Sequence, residues 1–175
     1  PVYTLLRFDP NVAVDALLTA AERAGMPLKI AAKIDRVDQA YWDECIAPLV
    51  NANPNIEYIG EIADHQKSEF LGGASALLFP IDWEEPFGLV MIEAMACGTP
   101  VVAANRSSLP EICGDAAVLI DPFDSAAIAN GVARVLTDQN LRNDLVERGI
   151  QRARSFRWDE CAEQTLAFLR SIGDN

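Results

Sequence analysis

Positive charge is scarce in this chain: 14 lysines and arginines stand against 26 aspartates and glutamates, a formal net charge of −12 over 175 residues. That excess argues against non-specific binding to nucleic acid or to anionic lipid. It also makes any phosphate site a local exception, which nearby cations must create. Cysteine is sparse too. Cys45, Cys97, Cys113 and Cys161 are far apart and form no Cys-x-x-Cys, which disfavours a disulfide framework or a zinc site and favours reduced thiols in a cytoplasmic protein. No apolar run approaches the roughly 20 residues of a membrane helix, and no signal-peptide pattern opens the chain. Histidine occurs once. His65 falls at the start of a solvent-facing helix pattern, where a histidine is more often a surface residue than a catalytic base. There is no internal repeat or low-complexity segment. The chain begins at Pro1 without an initiator methionine and already reads as a strand, which suggests an excised domain or a processed fragment.

What remains has the profile of one soluble globular domain: 50% hydrophobic and 23% charged residues in a length that supports a substantial core. Short apolar runs rich in branched residues alternate with helical patterns. Val2–Leu6, Leu28–Ala32, Ile56–Gly60, Ala74–Phe79, Val101–Ala104 and Ala117–Ile120 read as strands. Helical patterns over 12–21, through Tyr41 to Ile46, from a cap at Asp64 through Leu71, and from Leu89 to a stop at Gly98 separate them. A short helix follows Asn105–Glu111, Asp124 and Thr137-Asp138 open two more, and Trp158–Leu169 forms a last amphipathic helix. Strands alternating with helices through short turns predict an α/β fold with a parallel sheet of about six strands, covered on both faces. Such sheets bind ligands at the carboxyl ends of their strands, near the point where the strand order reverses.

The stretch with the most chemistry runs from Glu85 through Pro86, Phe87, Gly88 and Leu89 to Glu93 and on to Pro100. A loop with a carboxylate and a Phe-Gly pair leads into a helix whose early turns hold a second carboxylate. Free N–H groups near Phe87, Gly88 and Leu89 would face a phosphate at the positive end of the helix. Gly88 lets the backbone approach a ligand closely. Glu93 can accept hydrogen bonds from a ribose or sugar diol, and it lies too far into the helix to be explained as a dipole-favoured carboxylate.

The Glu-x7-Glu pattern inside "EPFGLVMIEAMACGTPVVA" resembles the signature of group 1 retaining glycosyltransferases of the two-domain GT-B architecture, in their C-terminal, nucleotide-sugar-binding half. The likeness continues through "LKIAAKID", "IEYIGEI", "LLFPIDWEEPFG" and "SSLPEICGDAAVLI" and so covers essentially the whole chain. It implies a Rossmann-like domain over residues 1–175, with an N-terminal acceptor domain absent. It also implies transfer of a sugar, with retention, from a nucleoside-diphosphate sugar to a glycan, lipid or small-molecule acceptor. No metal and no further cofactor are expected, and the isolated domain is expected to be inactive. The partners implied are the nucleotide-sugar donor and the missing acceptor domain, through which any membrane association of a cytoplasmic enzyme would run.

By the same resemblance Arg7, after the first strand, contacts the donor diphosphate, and Glu85 lies near the donor sugar hydroxyls. Main-chain atoms near Ile62 meet the base, Lys67 lies at the nucleotide edge and Glu93 at the ribose. The family's Lys-Gly a few residues after the arginine is replaced here by Val12 and Ala13, with Lys33 and Arg106 as candidate substitute cations. Ala32, preceded by Ala31, stands where glycine is common before Lys33, and Ser107 stands where glycine is common in the segment ending at Glu111. Trp83 lines the donor pocket or caps an interdomain surface. The departure at Val12 keeps a second reading open, a catalytically degenerate nucleotide-sugar-binding or interaction module. An epimerase or phosphorylase on this architecture is disfavoured, the latter because its cofactor lysine cannot be placed.

Overall fold

The computed structural model describes residues 2–7, 25 and 27–173, the first six as backbone. Six strands form one sheet: β1 (Val2–Arg7), β2 (Leu28–Lys33), β3 (Ile56–Gly60), β4 (Ala76–Phe79), β5 (Val101–Ala104) and β6 (Ala117–Ile120). Their order is β3-β2-β1-β4-β5-β6 and every pairing is parallel. Parallel neighbours cannot be joined by hairpins, so each connection crosses the sheet. The chain winds outwards one way from β1 to β3 and then the other way from β4 to β6, which puts the reversal between β1 and β4. This is the strand order of doubly wound nucleotide-binding sheets.

Helical elements follow the strands. They are α1 (Gln39–Tyr41), a π-helical segment (Trp42–Ile46), α2 (Ala47–Ala52), α3 (Asp64–Gly72), α4 (Leu89–Ala96), α5 (Leu109–Cys113), α6 (Ser125–Thr137), α7 (Gln139–Arg154) and α8 (Trp158–Gly173). The π segment has a local cause. Pro48 has no N–H to close the next i→i−4 bond, and the Ala47 N–H reaches back to the Trp42 carbonyl instead. The helix expected over 12–21 lies outside the described residues, as do Val12 and Ala13.

Every residue of β4 and β5 is buried, as a strand covered on both faces must be. Two glycines set the spacing of the layers. A Cβ at Gly131 of α6 would come within 3.0 Å of Ile120 and 3.2 Å of Val102, so this helix lies flush on the sheet. At Gly149 of α7 a Cβ would meet the Met95 side chain at 3.2 Å, which brings α7 directly against α4. Of the expected caps, Asp124 accepts from the Ala126 and Ala127 N–H groups at 2.8 and 3.0 Å. Asp138 caps α7 through Asn140 and Leu141, while Thr137 closes the preceding helix. Asp64 does not cap α3; it is the first helical residue, and the Ala63 N–H outside it donates to Gln66 Oε1 at 2.9 Å.

The thiols divide by depth. Cys45 and Cys161 are exposed, whereas burial pushes the Cys113 thiol up to about 12, beside Met91 Sδ at 3.4 Å. The last helix is unlike the others. All its described side chains are exposed, including the large apolar Trp158, Phe168, Leu169 and Ile172.

Candidate functional site

Helix α4 follows the carboxyl end of β4, one of the two strands that border the reversal of strand order. Its sequence is apolar apart from Glu93, and Val90, Met91, Ala94 and Met95 are buried. Its entry is set by Gly88, whose backbone is left-handed at φ 77° and ψ 57°. A Cβ at Gly88 would lie 2.7 Å from Met91 Cε and 3.2 Å from Leu109 Cδ2, so the protein's own packing requires glycine here. Met91 N–H bonds back to the Gly88 carbonyl. Among the described residues, the N–H groups of Leu89 and Val90 have no protein acceptor, so the first turn of α4 presents two donors and the positive end of the helix dipole.

The expectation for Phe87 and Gly88 needs correcting. Their N–H groups are already bonded to Glu85 Oε1, at 3.3 and 2.9 Å. A carboxylate that starts a tight loop can turn forward onto the amides two and three residues on, and Glu85 does so. Its other oxygen, Oε2, accepts from the Trp83 indole N–H at 2.9 Å. The Glu85 carbonyl in turn accepts from both the Ser107 and the Ser108 hydroxyls, at 2.8 and 2.6 Å. The free donors of the helix start are therefore those of Leu89, which was expected, and Val90, which was not. Glu84 is exposed.

Glu93 faces α3. Lys67 Nζ lies 3.3 Å from Glu93 Oε1 and 3.0 Å from Asp64 Oδ1, which places one ammonium between two carboxylates. The hydrogen bond that Lys67 donates to Asp64 first, and then the Glu93 carboxylate, hold Lys67 above the usual lysine range despite partial burial. A cavity of about 470 Å³ between the two helices is lined by Asp64, Lys67, Leu89, Glu93 and Cys97. Burial, with the nearby Glu93 carboxylate, also pushes the Cys97 thiol up. Sequence reasoning named Lys67 and Glu93 separately; the structure brings them together.

Ile62 lies in the turn between Gly60, at φ 78°, and α3, partly exposed. Arg7 and Lys33 end adjacent strands in register, so their backbones stand side by side at the carboxyl edge of the sheet. Lys33 also pairs with Asp35 at 3.0 Å. Arg106, the other candidate cation, pairs with Asp82 and lies over the Phe123 ring at 5.3 Å, which ties it to the loop that follows β4. Ala31 and Ala32 are buried, and the Ala32 carbonyl accepts from the Tyr58 hydroxyl at 2.8 Å. His65 is exposed on α3. Among the described residues, no group of three or more His, Cys, Asp and Glu side chains is placed to hold a metal ion, and no helix is long and apolar enough to cross a membrane.

Two features of this site escaped sequence reasoning. One is the closure of the loop by Trp83 and Glu85, for which a tryptophan two residues before the glutamate is the only trace. The other runs through Arg152. Its guanidinium donates to the Glu111 and Ile112 carbonyls at the end of α5, at 2.6 and 2.9 Å, and lies over Phe156 at 4.8 Å. Phe156 meets Phe87 edge to face at 5.4 Å. Nothing in the sequence links these distant positions.

This geometry has counterparts. A family model described as glycosyl transferases group 1 matches residues 2–152. The O-antigen chain mannosyltransferase B of Escherichia coli is 38% identical over 162 residues, covering 90% of this chain and 42% of that protein. The phosphatidyl-myo-inositol mannosyltransferase of Mycobacterium leprae (strain TN) is 31% identical over 67% of this chain and 32% of its own length. Among solved structures, sucrose-phosphate synthase from Thermosynechococcus elongatus superposes with a TM-score of 0.84 at 27% identity, over 99% of this chain and 46% of that one. Anabaena Alr3699/HepE, solved with UDP and glucose, shares the fold with a TM-score of 0.84 at 23% identity, over 97% of this chain and 48% of that one. The chain thus spans less than half the length of these relatives. Its α/β fold is that of the GT-B glycosyltransferases. With the family model matched over residues 2–152 and the Glu85-to-Glu93 loop and helix set at the reversal of a doubly wound sheet, the chain belongs to the group 1 glycosyltransferases.

Proposed function

We propose that this chain is the donor-binding, C-terminal half of a retaining glycosyltransferase and takes a nucleoside-diphosphate sugar into the crevice above β1 and β4. The observation that carries this reading is the first turn of α4, where the Leu89 and Val90 N–H groups lack a protein acceptor at the strand-order reversal. A diphosphate supplies the acceptors those donors lack, and its charge meets the positive end of the helix. Arg7, at the end of the neighbouring strand, adds a full positive charge. Preorganised donors of this kind stabilise the diphosphate as it leaves with the bonding electron pair, without a metal ion. Glu93 accepts from the ribose hydroxyls, with Lys67 holding its carboxylate, and main-chain atoms near Ile62 border the base. Glu85 serves the sugar hydroxyls.

UDP in the Anabaena protein of the same fold supports a nucleotide in this crevice. The two mannosyltransferase relatives favour a mannosyl group as the sugar transferred. An N-terminal acceptor domain completes the enzyme, and the exposed apolar face of α8 packs against it. Without that domain the chain binds donor and turns nothing over.

Calorimetric titration of the protein with UDP, GDP and ADP tests the reading. One nucleotide is expected to bind saturably, and Glu93→Ala and Arg7→Ala are each expected to weaken it by about tenfold or more, the worth of one charge-assisted hydrogen bond. Absence of binding by all three, in protein shown to be folded, would contradict the donor site and favour the non-catalytic module.

A further inference from the structure

Glu85 is held at every joint. Pro86 restricts its backbone to extended conformations. Two hydroxyls, of Ser107 and Ser108, donate to its one carbonyl and so occupy both lone pairs of that oxygen. The Trp83 indole N–H takes Oε2 at 2.9 Å, and the indole is itself fixed edge-on to Phe79, with ring centroids 6.4 Å apart. Ser107 is the single described non-glycine residue with positive φ, at 52°. A left-handed serine is strained, and strain of this kind persists only where the surroundings impose it. Here it brings the Ser107 hydroxyl onto the Glu85 carbonyl. For a carboxylate with a merely structural part in a solvent-reached loop, so many restraints are hard to explain.

We propose that Trp83, Ser107 and Ser108 are positioning residues for Glu85: the indole aims the carboxylate and the two hydroxyls fix the peptide from which it hangs, so that Glu85 meets the donor sugar in one orientation. This rests on the donor-site reading of Glu85 given above. None of the three needs to touch the donor. The nucleotide part of the ligand, held by α4, Glu93 and Lys67, is unaffected by them; the sugar part depends on them. Selectivity among sugar hydroxyl arrangements follows from a carboxylate that cannot swing to follow the ligand.

The test compares the nucleoside diphosphate with the corresponding nucleotide sugar by calorimetry in wild type, Trp83→Phe, Glu85→Ala and the double variant. Trp83→Phe keeps an aromatic ring against Phe79 and removes the N–H. It is expected to lower affinity for the nucleotide sugar about tenfold, to leave the nucleoside diphosphate within about twofold, and to add little once Glu85 is alanine. Ser107→Ala combined with Ser108→Ala should act in the same direction. Equal loss for both ligands, or a Trp83→Phe effect that adds in full to Glu85→Ala, would overturn the proposal. A second readout needs no ligand. The Trp83 indole N–H signal, identified among the three tryptophans by Trp83→Phe, should lose its protection from hydrogen exchange in Glu85→Ala. Wild type that binds none of the ligands overturns the donor-site reading, and the indole signal then reports the contact by itself: protection lost supports it, protection unchanged overturns it.

Discussion

Gly88→Ala is expected to lower the stability of the protein by about 2–4 kcal/mol, the sum of a left-handed alanine and an overpacked core site. The residue has φ 77° and its pro-Cβ position is 2.7 Å from Met91 Cε. Met91 and Leu109, the latter 3.2 Å away, are both fully buried, so either side chain can yield only into a filled interior. Urea unfolding of Gly88→Ala should therefore show a lower midpoint with an unchanged slope. An unfolding free energy within about 0.5 kcal/mol of wild type would mean that the entry to α4 is not built as described.

The second large effect is expected at Arg152. Replacement by alanine removes two charge-assisted hydrogen bonds to the Glu111 and Ile112 carbonyls and the stacking on Phe156. These carbonyls lie in the last turn of a helix of five residues, α5, whose end leaves them without helical donors. Partial exposure of the guanidinium discounts the sum to about 2–3 kcal/mol. Lysine should recover little of it, because a single ammonium cannot serve two carbonyls and an aromatic face in the same fork. The loss should also loosen Phe87, through Phe156, and so reach the Glu85 loop. Thermal unfolding of Arg152→Ala and Arg152→Lys measures this directly, and equal melting temperatures for lysine and wild type would rule out the fork as the cause.

The fold was legible wherever apolar runs were bounded by turn residues. Ile56–Gly60, Val101–Ala104 and Ala117–Ile120 are strands with the expected bounds, and Leu28–Ala32 extends by one residue to Lys33. Element ends were less legible where a hydrogen bond, not a residue type, decides them. Asp64 looks like a cap because aspartate favours that place, yet Gln66 satisfies the Ala63 N–H and moves the boundary by one. The strand order comes from tertiary packing and could be anticipated only as a class. At the site, residue types and spacing disclosed Glu85, Gly88 and Glu93, since a helix start and an isolated carboxylate in an apolar helix have consequences visible in one dimension. They did not disclose which N–H groups remain free. That depends on where the Glu85 carboxylate turns, and its partners Trp83, Ser107 and Ser108 are set by the fold across 22 and 23 residues in the case of the serines. Ser107, at a position where the resemblance led to an expectation of glycine, has a left-handed backbone, and its hydroxyl supplies a bond that glycine lacks.

The central claim is that a nucleotide sugar sits at the start of α4 between the ends of β1 and β4. Hydrogen–deuterium exchange of the protein with and without a saturating nucleotide sugar tests it most directly. Slower exchange is expected in two segments, 60–67 and 87–93, with the Leu89 and Val90 amides showing the largest change because the ligand gives them their first acceptor. Protection confined to the far end of the sheet, around Trp42, Asn51 and Tyr58, or unchanged exchange at Leu89 and Val90 under saturation, would contradict the claim.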